Sequence, residues 1–378
     1  MKLLIISHPS LVPVYQHLYA ELERQTGWHL TIVTPSNWKA EYGNKIIPRR
    51  SSGYQGQLLS IPVWNSGNIP LHIYRSTFIS LLREFEPDVI YVHHEPYAAA
   101  TAQVYIANSL SVRRPIGFYS AQNILKSYPP PFRQTEQAVL QGSHFAFPVS
   151  DSVGQVLHQK GCTANITILP LGLDTDVYYP HPQSQEIAHS LRSNKQEVLI
   201  GYLGRMVEQK GLKTLLQALG QIQGLPWRLV VAGSGPYETQ FDEIAHNLQL
   251  THRINRLGYI PYTEAPLYLS AFDLLVLPSE TRANWKEQFG RVIIEAMACG
   301  TPVVGSDSGE IPHLLQAING GLTFPEGQPK ALAEQLQQLI LNPSLRSSLV
   351  EQGRQVVLKS YTNASLAQRF AQTIEKAM

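Results

Sequence analysis

Val198-Leu199-Ile200-Gly201-Tyr202-Leu203-Gly204-Arg205-Met206-Val207-Glu208-Gln209-Lys210-Gly211 is a short apolar run that gives way to a polar turn bounded by glycines. An apolar run of this length, flanked by turn residues, reads as a strand buried on both faces. Helical periodicity follows from Leu212 to Ile222, then strand Trp227 to Ala232, helix Tyr237 to Leu248 and strand Ile254 to Leu257. The rhythm continues through strand Leu274 to Leu277, helix Arg291 to Cys299, strand Pro302 to Gly305 and helix Ile311 to Ala317. Strands alternating with helices predict a doubly wound parallel sheet. Helices from Pro329 to Leu341, Ser344 to Ser360 and Ala364 to Lys376 close the chain.

Upstream, the same alphabet opens the chain. Strand Leu3 to Ser7, a helical pattern from Val12 to Gln25 and strand Leu30 to Thr34 make a β-α-β start. Further strands are expected at Val89 to Val92, Pro115 to Tyr119, Ala146 to Val149 and Ile166 to Leu169. Glu41 to Ile69, rich in Gly, Ser, Pro and Asn, reads as loop and edge strand. The polar stretch Tyr179 to Asn194 carries Pro180 and Pro182 without sustained periodicity and reads as the linker. The expected division is therefore 1–178, 195–360 and a closing helix over 361–378 that packs back toward the first domain. Two such α/β domains facing each other would leave a cleft at their strands' carboxyl ends, where ligands bind in folds of this kind.

The bulk properties agree with two cores. The chain has 378 residues, 43% hydrophobic and 15% charged, a globular balance too long for one ordinary domain. A net charge of +2 with dispersed Lys and Arg does not imply nucleic acid. The pairs Arg49-Arg50 and Arg113-Arg114 read as solvated surface, or as contacts for an acidic acceptor or a peripheral membrane surface. Cys162 and Cys299 are far apart and follow no metal-ligand spacing, which fits a reducing cytoplasm. The apolar start, ended by His8-Pro9, is too short for a signal peptide, and no stretch reaches the length of a membrane span.

Chemistry concentrates in the second half. Glu287-Gln288-Phe289-Gly290-Arg291-Val292-Ile293-Ile294-Glu295 sets two carboxylates seven residues apart around a helix start. Gly290 lets backbone approach a ligand where free N–H groups favour a phosphate or a sugar hydroxyl. Glu295, one and a half turns into the helix, can accept from a ribose diol, and Glu287 can hold hydroxyls. Alone, the pair reads better as an amphipathic helix with a charged cap. Arg205 and Lys210, leaving a strand's end together, suit the charge growing on a departing diphosphate, although taken alone they read better as ordinary surface cations. Ala232-Gly233-Ser234-Gly235-Pro236 and Gly258-Tyr259-Ile260 are further turns at strand ends. Neither domain's first turn has a full Gly-x-Gly-x-x-Gly, which argues against a dinucleotide cofactor.

These residues resemble the retaining glycosyltransferases of family four, built on the GT-B fold of two facing Rossmann-like domains. The likeness covers nearly the whole chain. It is strongest over Gly204 to Gly211 and from Leu277-Pro278-Ser279 through Glu287 to Gly309, which includes Gly300-Thr301-Pro302-Val303-Val304. It implies that Arg205, Lys210 and Glu287 form the catalytic set. Gly204, Gly233, Gly235, Gly258, Tyr259, Phe289, Gly290, Arg291 and Glu295 would bind a nucleotide-sugar donor. No metal and no other cofactor is implied. The reaction implied is transfer of a hexosyl group, with retention, to a saccharide, lipid-linked or other glycoconjugate acceptor in polysaccharide or glycolipid biosynthesis.

The first domain would then hold the acceptor. His93, His94 and Glu95 end the expected strand Val89 to Val92 and face the cleft by the same resemblance. Where many relatives have paired glycines after the first strand, this chain has His8-Pro9-Ser10. Where relatives place a histidine after a later strand, it has Gln122 and Asn123, amides that can bind a sugar but cannot act as bases. Two alternatives stay open on the sequence: a nucleotide-sugar epimerase of the same fold, and a sugar-nucleotide-binding protein without turnover.

Overall fold

The central strands of the first half, Lys2–Ile6 and Val89–Val92, line up because their side chains are almost all apolar and buried on both faces. A computed structural model describes residues 1–39 and 45–378. β1 (Lys2–Ile6), β2 (His29–Pro35), β3 (Gln57–Ile61), β4 (Val89–Val92), β5 (Ile116–Ser120), β6 (Phe145–Pro148) and β7 (Asn165–Ile166) form a parallel sheet. Their order is β7-β6-β5-β4-β1-β2-β3. The chain winds outward from β1 to β3, then returns to the other side of β1 with β4. That reversal puts the carboxyl ends of β1 and β4 side by side, with Ile6 opposite Val92.

The second half repeats the scheme. β8 (Val198–Leu203), β9 (Trp227–Ala232), β10 (Ile254–Gly258), β11 (Leu274–Leu277), β12 (Val303–Ser306) and β13 (Gly321–Phe324) are parallel, in the order β10-β9-β8-β11-β12-β13. Here the reversal lies between β8 and β11. Trp227, Tyr202, Leu215, Leu219 and Phe241 fill its main core and are fully buried.

Two compact units result. One comprises Met1–Gly172 with Asn363–Met378, the other Leu173–Thr362. The last helix, Asn363–Ala377, lays Leu366, Phe370 and Ile374 against Tyr91 and Phe147 of the first sheet. Arg369 donates to the Ile168 carbonyl at 3.1 Å, and the Phe370 ring lies 4.7 Å from that of Phe147.

Some local expectations differ from the structure. The helical pattern from Val12 resolves into 3₁₀ turns Pro9–Leu11 and Pro13–Gln16 before helix His17–Thr26. Each proline supplies no N–H and occupies a first turn, so a helix running through them is interrupted. The stretch read as linker contains helix Ser184–Leu191, whose Ala188 is buried. It packs on helix Ala265–Ala271, and Ser270 Oγ bridges the Tyr179 carbonyl and the His181 N–H. One buried alanine leaves little periodic signal. The unit boundary at Gly172 also precedes the expected linker. Part of the expected loop, residues 41–44, lies outside the described residues; beyond it, Gln57–Ile61 joins the main sheet as β3.

Candidate functional site

At the second sheet's reversal, two loops are forced together. Tyr202 donates its hydroxyl to the Arg205 carbonyl at 2.6 Å, pinning the turn after β8. Gly211 ends the 3₁₀ turn Glu208–Lys210 at φ +65°, and a Cβ there would lie 1.8 Å from the Pro278 carbonyl oxygen. Only glycine fits so close an approach. Glu280 N–H donates to the Gln209 carbonyl at 2.8 Å across the same contact.

This contact delivers Lys210 to Glu287. Lys210 Nζ lies 2.5 Å from Glu287 Oε2, and Ser279 donates to the same oxygen at 2.9 Å. The ammonium also lies 5.1 Å from the Trp285 ring centre. Glu310 N–H holds the Glu287 carbonyl at 3.1 Å, tying that loop to the segment after β12. Gly204, Arg205, Lys210, Glu287, Gly290 and Arg291 share one cavity of about 300 Å³. Helix Arg291–Ala298 begins at this cavity from Gly290, whose φ is +79°.

Glu295 lies behind that surface rather than on it. Its carboxylate meets Arg291 Nε at 2.9 Å, one helical turn away. Burial raises its carboxyl above the usual range, and Arg291 opposes the shift. The Arg291 guanidinium sits 5.7 Å from the Tyr262 ring, itself 5.7 Å edge-on from Tyr178. Phe289 is buried, and Gly258 and the exposed Tyr259 do not line the cavity.

Gly233 and Gly235 do something other than line it. A Cβ on Gly233 would stand 1.8 Å from the Gly204 carbonyl oxygen, and one on Gly235 2.3 Å from that of Met206. Their absent side chains let the loop after β9 clamp the loop after β8, with Met206 N–H on the Ser234 carbonyl at 2.9 Å. They position Arg205 from behind.

At the first sheet's reversal, the expected polar cluster divides. Neighbouring residues at a strand end point to opposite faces. His93 Nδ1 pairs with the Tyr19 hydroxyl at 2.9 Å, and burial lowers its imidazole to about 4. His94 turns the other way, its Nδ1 2.8 Å from that of His8. Glu95 is half-buried and accepts from Ser120 Oγ at 2.8 Å and Ala121 N–H at 2.7 Å. Desolvation pushes its carboxyl up to about 7 despite those donors. Gln122 accepts from Ile124 N–H at 3.1 Å, a local turn contact, and Asn123 is buried. One Asp-x-Asp spacing occurs, Asp174-Thr175-Asp176, where Asp174 Oδ1 accepts from Asp176 N–H at 2.9 Å.

Sequence reading missed Trp285, which faces Lys210, and the Tyr178–Tyr262 pair beside Arg291. Aromatic residues in loops carry no spacing rule. It also missed His72, which joins His8 and His94, because 64 and 22 residues separate it from them.

Comparison with known proteins adds identity to geometry. The family model described as Glycosyltransferase Family 4 matches residues 14–177, and that described as Glycosyl transferases group 1 matches residues 183–356. An Escherichia coli strain K12 protein named as a colanic acid biosynthesis glycosyltransferase, WcaL, is 27% identical over 260 residues, 67% of this chain and 61% of its own. A GDP-mannose-dependent alpha-(1-6)-phosphatidylinositol monomannoside mannosyltransferase of Mycobacterium tuberculosis is 28% identical over 216 residues, 56% of each chain. The chain thus spans less than two thirds of either relative. Anabaena Alr3699/HepE, solved in complex with UDP, superposes with a TM-score of 0.76 at 18% identity over 100% of both chains, a likeness of fold. Two parallel sheets with GT-B neighbours, and family models that together run from residue 14 to residue 356, establish that this chain belongs to glycosyltransferase family 4.

Proposed function

We propose that the chain transfers a hexosyl group from a nucleoside-diphosphate sugar to a hydroxyl of a saccharide or lipid-linked acceptor, in polysaccharide or glycolipid assembly. One observation carries the reading: Arg205, Lys210, Glu287 and the start of helix Arg291–Ala298 share a single cavity at the second sheet's reversal. Two cations and a helix N-terminus suit a diphosphate whose charge grows as the glycosidic bond breaks. Glu287, already bound to Lys210 and Ser279, would accept from donor sugar hydroxyls. Arg291 with Glu295 would meet the ribose, and residues of the first unit, Glu95 among them, would meet the acceptor.

Retention is part of the proposal. The acceptor hydroxyl would attack from the face the diphosphate leaves, its proton passing to a phosphate oxygen, with no metal required. Among the described residues no helix is long and apolar enough to cross a membrane. Cys162 and Cys299 are free thiols, which supports a cytoplasmic location with any membrane contact peripheral.

The test is donor binding and turnover. UDP-, GDP- and ADP-sugars are screened by thermal shift, and released diphosphate is measured with an acceptor panel; one donor class should raise Tm, and Arg205→Ala should abolish that rise. Proton NMR of the product gives the anomeric configuration. No shift with any donor, or an equal shift in Arg205→Ala, overturns the proposal.

A further inference from the structure

The first sheet's reversal holds a second constellation, independent of the transferase reading. His8 follows β1 and His94 follows β4, while His72 arrives from the segment before residues 73–74. One ring nitrogen from each lies within 4.8 Å of the others. Trp38 walls the group, its ring 4.9 Å from His8 and 5.0 Å from His72.

Their hydrogen bonding is incomplete in a telling way. His72 Nδ1 donates to the Ile69 carbonyl at 2.9 Å, which fixes its tautomer and leaves Nε2 with a lone pair. That Nε2 is buried without a partner, and so is Nε2 of His94. A metal bound to Nε2 of His72 would satisfy that buried atom. A carbonyl behind a histidine is also the usual outer partner of a metal-bound imidazole. The cluster contains no carboxylate. Burial and the neighbouring imidazoles favour the uncharged rings that metals bind.

We propose that His8, His72 and His94 form a three-histidine site for a divalent late transition metal, zinc(II) foremost. An all-nitrogen donor set excludes calcium and magnesium, which take oxygen ligands. Zinc–nitrogen bonds of about 2.0–2.1 Å in tetrahedral array place ligand atoms about 3.3 Å apart. His8 and His94 would part slightly and His72 would close in. The two Nδ1 atoms that face each other at 2.8 Å share one proton. The ion takes its place, and the proton moves to that ring's Nε2. A water completes the fourth position. The ion would lock together the loops after β1 and β4 and the segment around Asn68 to His72. The family resemblance implies no metal, and a zinc ion on these residues of the first unit departs from that expectation.

The experiment uses the full chain, stripped with chelator and titrated with Co²⁺ and Zn²⁺. The expected result is one equivalent bound, with the intense visible absorption of four-coordinate cobalt, and zinc competing it away. His72→Ala and His94→Ala should each weaken zinc on the order of 100-fold, and His8→Ala, at a half-buried position, should weaken it similarly. His29→Ala, at an exposed site, should change nothing. Where a buried variant does not fold, the wild-type cobalt spectrum and His8→Ala decide. Absence of one-equivalent uptake, a six-coordinate cobalt spectrum, or affinity unchanged in the folded histidine variants overturns the proposal.

Discussion

Replacing Lys210 with Met keeps the stem that packs on Trp285 and removes the charge that pairs with Glu287. Removing one partner of a buried ion pair costs about 3–5 kcal/mol, because the other charge is left without compensation. Here the side chains keep 15% and 12% of their exposure, and Ser279 still donates to the carboxylate. Water and that hydroxyl reduce the loss to about 2–4 kcal/mol. For a unit of this size each kcal/mol moves the midpoint by about 2–4 °C, so a loss near 3 kcal/mol lowers it by roughly 6–12 °C. Adding Glu287→Gln removes the stranded charge while keeping an acceptor for Ser279. The double variant should therefore melt above Lys210→Met alone, a coupling that differential scanning calorimetry of the second unit's transition reads directly. A shift under about 2 °C for Lys210→Met, or strict additivity in the double variant, refutes the reasoning.

Gly27 and Gly211 share nearly the same backbone, φ +66° and +65°, but only Gly211 has an atom where a Cβ would go. Gly27→Ala should lose about 1 kcal/mol, and Gly211→Ala at least about twice that, together with donor binding; equal losses by calorimetry would contradict the loop contact. Glu95 has a carboxyl raised to about 7, above its unfolded value near 4.5. Its contribution is therefore fully present below about pH 4.5 and is lost as pH rises through 7, a span of roughly 3 kcal/mol. The first unit's melting temperature should fall over that window, and Glu95→Gln should flatten the fall; an unchanged slope would show the carboxyl is not the source. His93 acts in the opposite sense, because its lowered imidazole gives stability that is lost as pH falls from about 6.5 through 4. Phe370→Ala deletes a fully buried ring and should cost about 3–5 kcal/mol, lowering only the first unit's transition.

The parallel sheets were legible because buried strands such as Leu3 to Ile6 and Val198 to Leu203 are apolar at every position, a signal no loop imitates. The cavity at the second sheet's reversal was legible in part: Arg205, Lys210, Glu287 and Gly290 each sit beside a strand or helix end, so topology alone brings them together. Gly233 and Gly235 were recognisable as special, yet the sequence does not say whether a glycine makes room for a ligand or for a neighbouring carbonyl. The His72 partnership was invisible because it depends on how an irregular segment folds back, which no periodicity encodes.

The return of Asn363–Ala377 to the first sheet has a consequence for how the protein is made. During translation the first unit's strands emerge early, but the Phe370 and Ile374 ridge that covers Tyr91 and Phe147 emerges only after the whole second unit. The second unit is continuous in sequence and can finish folding on the ribosome while its elder neighbour waits with apolar surface bare. Nascent chains that stop before residue 363 should accordingly recruit chaperones through the half that was synthesised first.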